Sequence, residues 1–401
     1  MAKEKLFESY LITASILLQQ YDGSVPLNDF LKQYFLQHKK FGSRDRRYIT
    51  ELCYCNYRTG HALKNVTPKE KILVSLFLCS QKQNELLAQL KPEWNEKAEL
   101  SLEEKISVLN YQFHITDIFP WKDELSETID ASAFAASHLI QPDLFLRIRP
   151  SQKDQVIRKL QANKIEFKEC ADDCLVLTNT TKVESIIEIN KEVVVQDYSS
   201  QRIKEFLHII KSNIRHQTSD IKVWDCCAAS GGKSILAIDA LQNIDLTVSD
   251  VRPFIIHNLN QRFKEAGIKN YYSFVADLTK FPFPIPNSNL DLIICDAPCT
   301  GSGTWSRTPE QLYFFTKEKI NYYAELQKKI ITNTVPHLAN NGFFLYITCS
   351  VFKKENESVV EFIQKKFRLQ LIKQEVLIGY DKKADTMFCA LFKTPAASKK
   401  N

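Results

Sequence analysis

Two cysteines each follow an apolar run: Asp296-Ala297-Pro298-Cys299-Thr300-Gly301-Ser302-Gly303 after residues 290–295, and Thr348-Cys349-Ser350 after residues 343–347. A thiolate is a soft nucleophile and a good leaving group, so it adds reversibly to an electron-poor carbon such as carbon 6 of a pyrimidine ring. A cysteine behind an apolar run is usually a small buried hydrophobe, the role expected of Cys53, Cys79, Cys295 and Cys389. Cys299 and Cys349 differ, because each leaves its run into a polar Gly/Ser/Thr segment. Two thiols delivered by two strand ends are candidates for covalent chemistry.

A binding loop accompanies them. Residues 221–224 run into Asp225-Cys226-Cys227-Ala228-Ala229-Ser230-Gly231-Gly232-Lys233-Ser234, and a helix-period stretch begins at Ile235. Small residues and two glycines let backbone approach a ligand closely, and a helix N-terminus offers free N–H groups. Asp250 closes the next run, where a carboxylate in such folds accepts hydrogen bonds from a ribose. The phosphate-loop template fails, since its first glycine would fall at Cys227, and the pattern G-x-G-x-x-G is absent. With Asp277 and Asp296 at later run ends, the loop predicts a nucleoside-containing cofactor. No metal is expected: neither Cys170 with Cys174 nor Cys226 with Cys227 has the C-x₂-C spacing or a clear second pair, and the histidines are dispersed.

The elements that must position these residues are legible from periodicity. After Gln201, apolar runs at 221–224, 246–249, 271–275, 290–295, 343–347 and 386–392 alternate with helix-period stretches. They predict a doubly wound α/β domain over 201–395 with a largely parallel sheet. Residues 1–135 place Leu11, Ala14, Leu17, Leu18, Ile49, Leu52, Tyr54 and Tyr57 at helical spacing, which predicts an all-helical domain. Within it the basic cluster at 39–47 is either a nucleic-acid contact or a solvated helix start, with Ser43 expected to cap the helix running through Arg58. Short alternating segments at 144–148, 166–168 and 174–177 around a helical stretch at 152–163 predict a small α+β module over 136–200. The small, charged tail at 396–401 is expected to fray.

Composition narrows the class. A chain of 401 residues, 44% hydrophobic and 25% charged, reads as a soluble globular protein of two or three domains. Eleven scattered cysteines suit a reducing, cytoplasmic compartment. The N-terminus leads into no apolar stretch of signal-peptide type, and the longest apolar run, near 72–79, is too short to span a bilayer, so no membrane partner is expected. A formal net charge of +6 permits an anionic partner without demanding one.

In order and spacing, residues 227–233, Asp250, Asp277, Asp296-Ala-Pro-Cys299-Thr-Gly-Ser-Gly and Tyr346-Ile-Thr-Cys349-Ser with Glu355-Asn356-Glu357 resemble the motifs of the RsmB/Sun (Fmu) family of RNA cytosine-5 methyltransferases. Upstream, Gly42-Ser-Arg-Asp-Arg-Arg-Tyr-Ile-Thr-Glu-Leu is similar to the family's NusB-like helical domain, and Val195-Gln-Asp-Tyr-Ser-Ser-Gln201 to the segment entering its catalytic domain, a Rossmann-like S-adenosylmethionine-dependent fold. The resemblance implies that Cys349 attacks carbon 6 of cytosine, that Cys299 assists loss of the carbon 5 proton and release, and that Asp296 lies beside both base and cofactor. It implies S-adenosyl-L-methionine as cofactor, contacted by Cys227, Ala228, Ala229, Ser230, Gly231, Gly232, Lys233, Asp250 and Asp277, and 16S rRNA as substrate of a monomeric enzyme. Lys233 is the expected electropositive neighbour that helps make Cys349 reactive.

Three positions depart from the family pattern. Ser230 replaces a proline, which is expected to loosen the turn. Trp305-Ser306-Arg307 stands where a basic pair is common, leaving Arg307 and a tryptophan that either stacks on a base or packs locally. Cys55 replaces a glycine of the helical domain, a change read as harmless. Attack at carbon 6 requires an exposed ring face, hence a single-stranded or extruded base, and Arg44, Arg147, Arg149, Arg252 and Arg307 are candidates for salt-sensitive backbone contacts. Two rivals stand beside this reading. One is a tRNA cytosine-5 methyltransferase on the same scaffold, and the other a non-catalytic RNA-binding or ribosome assembly factor.

Overall fold

The computed structural model describes residues 2–109, 111, 113–214, 220–285 and 289–395; the tail expected to fray lies outside the described residues. The chain divides into two compact units, Met1–Asp123 with Asp130–Gln141 and Thr304–Thr316, and Glu124–Ile129 with Pro142–Gly303 and Lys317–Asn401.

The first unit is helical. Helix Ala2–Gln20 buries Leu11, Ala14 and Leu17, and helix Ser43–Arg58 buries Ile49, Leu52 and Tyr57 along matching stripes; Leu18 and Tyr54 are only partly covered. Cys55 is buried. Ser43 is not the cap: it is the first helical residue, and the Gly42 N–H donates to the Asp45 carboxylate at 2.7 Å, so an acid in the first turn satisfies the free donor. Arg58, 4% exposed, donates from its guanidinium to the carbonyls of His138 at 2.9 Å, Ile140 at 3.2 Å and Ser306 at 2.9 Å. Those bonds explain why Thr304–Thr316, expected in the catalytic domain, belongs to this unit. They also place Trp305, which is 1% exposed with its ring 4.7 Å from Phe315 and 6.0 Å from Phe119. The base-stacking alternative for Trp305 is thereby excluded, and the packing one holds.

The second unit contains two sheets. The smaller is antiparallel, in the order β2-β3-β1-β4, built from β1 (Leu144–Ile148), β2 (Lys168–Ala171), β3 (Cys174–Leu177) and β4 (Val193–Val195). Helix Lys153–Ala162 covers it with Val156 and Leu160. This module packs within the second unit instead of standing alone, and β4 was not expected. The larger sheet comprises β5 (Ile221–Asp225), β6 (Ile244–Asp250), β7 (Tyr272–Val275), β8 (Leu290–Asp296), β9 (Leu338–Thr348), β10 (Gln370–Leu377) and β11 (Met387–Lys393) in the order β10-β11-β9-β8-β5-β6-β7. β5 to β9 pair in parallel, and β10 and β11 complete the edge antiparallel. The strand order reverses at β5, whose neighbours are β6 and β8, which opens a crevice beyond the C-terminal strand ends. β10 has no counterpart among the expected strands, because its residues are mostly exposed or half-buried and form no apolar run.

Arg147 is not an RNA ligand. It is 2% exposed, donates to Asp239 at 2.6 Å and to Gln196 at 2.8 Å, and shares Asp239 with Arg149. Arg149 also donates to the Asn190 and Ala266 carbonyls. A buried cation is retained only with a partner, so both arginines are structural ties. Asp239→Ala should leave Arg147 buried and unpaired and destabilise the chain by about 3–5 kcal/mol, measured by urea unfolding. Arg44→Ala, which removes an exposed pair with Glu85 and a contact over the Tyr48 ring, should change stability by less than about 1 kcal/mol.

Candidate active site

Five parallel strands end at one crevice, and each contributes a functional segment. Beyond β5 the chain turns through Ala229 and Gly231 with φ of +46° and +80° before helix Gly232–Leu241. Gly231 is required twice: its φ is left-handed, and a Cβ there would lie 2.5 Å from Phe263. The Gly231 N–H donates to the Ala228 carbonyl at 2.8 Å, and the Ala229 N–H donates to the Asp250 carboxylate at 3.2 Å. Ser230 does not leave the turn loose: Arg262 donates to its hydroxyl at 2.9 Å and to its carbonyl at 3.2 Å, so a cross-tie does the work of the absent proline ring.

A cavity of about 670 Å³ lies over these strand ends, lined by Cys227, Ala229, Asp250, Arg252, Asp277, Asp296, Cys299 and Cys349, with Tyr322 and Tyr323 on its helical wall. Of the expected cofactor residues, Ala228, Ser230, Gly231, Gly232 and Lys233 shape the loop and helix start without lining the cavity. Arg252, half-exposed, is a bidentate partner of Asp250, at 2.9 and 3.0 Å. Asp277 accepts from Thr279 at 2.6 Å and pairs with Lys280 at 3.1 Å; the hydroxyl and N–H of Thr279 draw its carboxyl below the ordinary range. Arg44 and Arg307 both lie in the helical unit.

The two cysteines meet. β8 and β9 pair in parallel with Cys295 opposite Tyr346 and Asp296 opposite Ile347, and the Ala297 N–H extends the ladder to the Ile347 carbonyl at 2.9 Å. Cys299 Sγ then lies 3.7 Å from Cys349 Sγ, donating to it. That hydrogen bond, with burial, pushes the Cys299 thiol well up, so Cys299 keeps its proton and Cys349 is the acceptor. Lys233 Nζ sits 3.1 Å from Asp296 Oδ2. Burial works against its charge, but Asp296 and Cys349 outweigh it and raise the ammonium, which keeps a cation near Cys349.

Glu355 holds this geometry and was not recognised as doing so. Fully buried, it accepts from the Thr300 N–H at 2.9 Å, the Thr300 hydroxyl at 2.6 Å, the Ser350 hydroxyl at 2.7 Å and Gln327 at 3.2 Å. Thr300 follows Cys299 and Ser350 follows Cys349, so one carboxylate binds the residue after each cysteine. Gly303 closes the same loop against the Cys349 carbonyl, with its N–H donating at 2.8 Å. The sequence signal was available: two hydroxyl residues directly after two cysteines call for a common acceptor.

A second buried acid, Asp225, accepts from the Ser234 hydroxyl at 2.6 Å through one oxygen. Burial, helped by Asp296 and Cys227, pushes its carboxyl up to about 7, against the hydrogen bond from Ser234 and the charge of Lys233.

The family model described as 16S rRNA methyltransferase RsmB/F matches residues 212–388. The probable ribosomal RNA small subunit methyltransferase B of Bacillus subtilis (strain 168) is 28% identical over 252 residues, covering 60% of this chain and 55% of its own length; the chain thus spans about half the length of the curated relatives it matches. Among solved structures, a protein designated PH0851 superposes with a TM-score of 0.67 at 19% identity, covering 98% of this chain and 99% of that one. NSun6 from Pyrococcus horikoshii with SFG gives 0.55 at 14% identity over 66% and 94%. At such identities the structural likeness establishes the fold, a Rossmann-like α/β methyltransferase sheet.

Two outcomes are expected. Glu355→Ala should strand several buried donors at about 1–3 kcal/mol each, lowering the unfolding midpoint in urea and loosening the spacing of the two thiols. For Asp225, the folded pKa lies above the unfolded one, so the native state holds a proton that the unfolded chain releases. Stability therefore falls as pH rises from about 4 to about 7, by at most roughly 1.4 kcal/mol per pH unit. Asp225→Asn should flatten that fall, and an unchanged pH slope in the variant would contradict it.

Proposed function

We propose that the chain, whose residues 212–388 match the family model described as 16S rRNA methyltransferase RsmB/F, is an S-adenosylmethionine-dependent RNA methyltransferase forming 5-methylcytosine in 16S rRNA. The observation that carries the cytosine-5 reading is the pair of unequal thiols, 3.7 Å apart, in a cavity shared with a nucleoside-type loop.

The residues fit the cofactor. The turn at Ala229 and Gly231 brings backbone to the cavity wall, and Asp250 presents a carboxylate at the end of β6, where a ribose would take over the place of the half-exposed Arg252 guanidinium. When bound, S-adenosylmethionine supplies an electrophilic methyl group. Cys349 adds as thiolate to carbon 6 of the cytosine, with Lys233 stabilising its negative charge across a partly buried site. The electron pair of the ring double bond moves to carbon 5, which would take the methyl group as its bond to the cofactor's sulfonium sulfur breaks and the sulfur keeps that pair as a thioether. Asp296, held by Lys233, hydrogen-bonds the ring edge. With Cys349 bonded to carbon 6, the hydrogen bond that kept the Cys299 proton is lost; Cys299, its own proton released to solvent, takes the carbon 5 proton as thiolate, the pair from that C–H bond restores the double bond, and the Cys349 thiolate leaves carbon 6.

The helical unit is the RNA-binding domain of this reading, NusB-like in kind, with Arg44 and Arg307 as its candidate contacts. Cys349→Ala should abolish both methyl transfer and any covalent RNA adduct, whereas Cys299→Ala should let the adduct accumulate on denaturing gels. Full activity in Cys349→Ala would sink the assignment. Bisulfite sequencing of total RNA from a deletion strain against its parent should show one lost 5-methylcytosine in 16S rRNA. A loss in tRNA instead would move the substrate to the rival enzyme, and absence of S-adenosylmethionine binding by calorimetry would favour a non-catalytic assembly factor.

A further inference from the structure

Spacing along the chain gives Cys226 and Cys227 no third ligand, but the sheet does. β5 and β8 are parallel neighbours with Trp224 opposite Ile293 and Asp225 opposite Ile294, and the Cys226 N–H donates to the Ile294 carbonyl at 2.9 Å. This register carries Cys226 to the side of Cys295. The loop turns Cys227 back onto both, and the Sγ atoms of Cys226, Cys227 and Cys295 all lie within 4.8 Å of one another. Cys226 and Cys295 are buried, while Cys227 is half-buried and lines the cavity.

We propose that these three thiols form a binding site for a soft, three-coordinate cation of the copper(I) class, separate from the Cys299–Cys349 pair and independent of the methyl-transfer reading. With metal–sulfur bonds of about 2.3 Å, the sulfurs of a trigonal site stand about 4 Å apart, within a side-chain adjustment of the observed cluster. All-thiolate donors select copper(I), whereas zinc in a closed site takes four ligands, and the cluster among the described residues offers three. Binding exchanges three S–H protons, released to solvent, for three metal–sulfur bonds, with no change of oxidation state when the metal arrives as copper(I). Cys227 at the cavity wall is the entry point.

The test uses the full chain carrying Cys299→Ser and Cys349→Ser, which removes the other close thiol pair of the cavity, loaded anaerobically with copper(I) against bicinchoninate. One copper(I) per chain should resist the chelator, and copper K-edge absorption should show three sulfurs at about 2.3 Å. Cys295→Ala and Cys227→Ala, each added to that background, should weaken retention at least about tenfold. Cys227 lies at the exposed corner, so its variant spares the core, and circular dichroism checks that both fold. Retention unchanged in both variants, or a two-sulfur shell in the parent, overturns the site.

Discussion

The geometry of the site depends on one buried carboxylate serving two loops. The parallel ladder of β8 and β9 delivers two cysteines to the same level, but a ladder ends where its strands end, and both thiols lie beyond it. Glu355 carries the order past that point. Its oxygens accept from the residue after each cysteine, so the loops cannot separate without stripping a buried acceptor of its donors. Burial raises its pKa while Thr300, Ser350 and Gln327 lower it. Asn356, also fully buried, accepts from Thr348 at 2.6 Å and donates to the Ser350 carbonyl at 2.9 Å, which braces the strand end carrying Cys349.

Electrostatics divide labour between chemically identical groups. Two thiols 3.7 Å apart would be equivalent in water. Here one donates and is held neutral, and the other accepts beside the ammonium of Lys233. The same logic separates the aspartates: Asp277 is drawn down by Thr279, whereas Asp225, walled in beneath the loop, is driven up. Position relative to the strand ends, more than residue type, sets each role.

Much of this was readable in the residues. Every apolar run assigned to the large sheet became a strand, because continuous apolar segments bounded by polar turns have few other uses in an α/β chain. The polar exits of Cys299 and Cys349 mark the two thiols that the fold brings within 3.7 Å of each other. What resisted reading was long-range pairing of polar groups. Arg147 looks like a surface cation until Asp239 appears from another helix, and Cys226 looks like a bystander until Cys295 stands beside it. The Ser230 cross-tie from Arg262 and the packing of Trp305 belong to the same class. Such partners are fixed by tertiary structure, and no local period announces them.

The anchoring of Thr304–Thr316 by Arg58 bears on how the chain matures. The bond from Arg58 to the Ser306 carbonyl joins residues 248 positions apart, and Leu27 reaches Glu310 across 283. The helical unit therefore lacks a wall until residues 304–316 have been made, which works against vectorial folding, in which a leading domain closes before the next is made. It follows that no single cut yields two self-sufficient halves. An amino-terminal fragment would expose the surface meant for Leu312 and Phe315, and a carboxy-terminal fragment would carry those buried side chains with nothing to receive them.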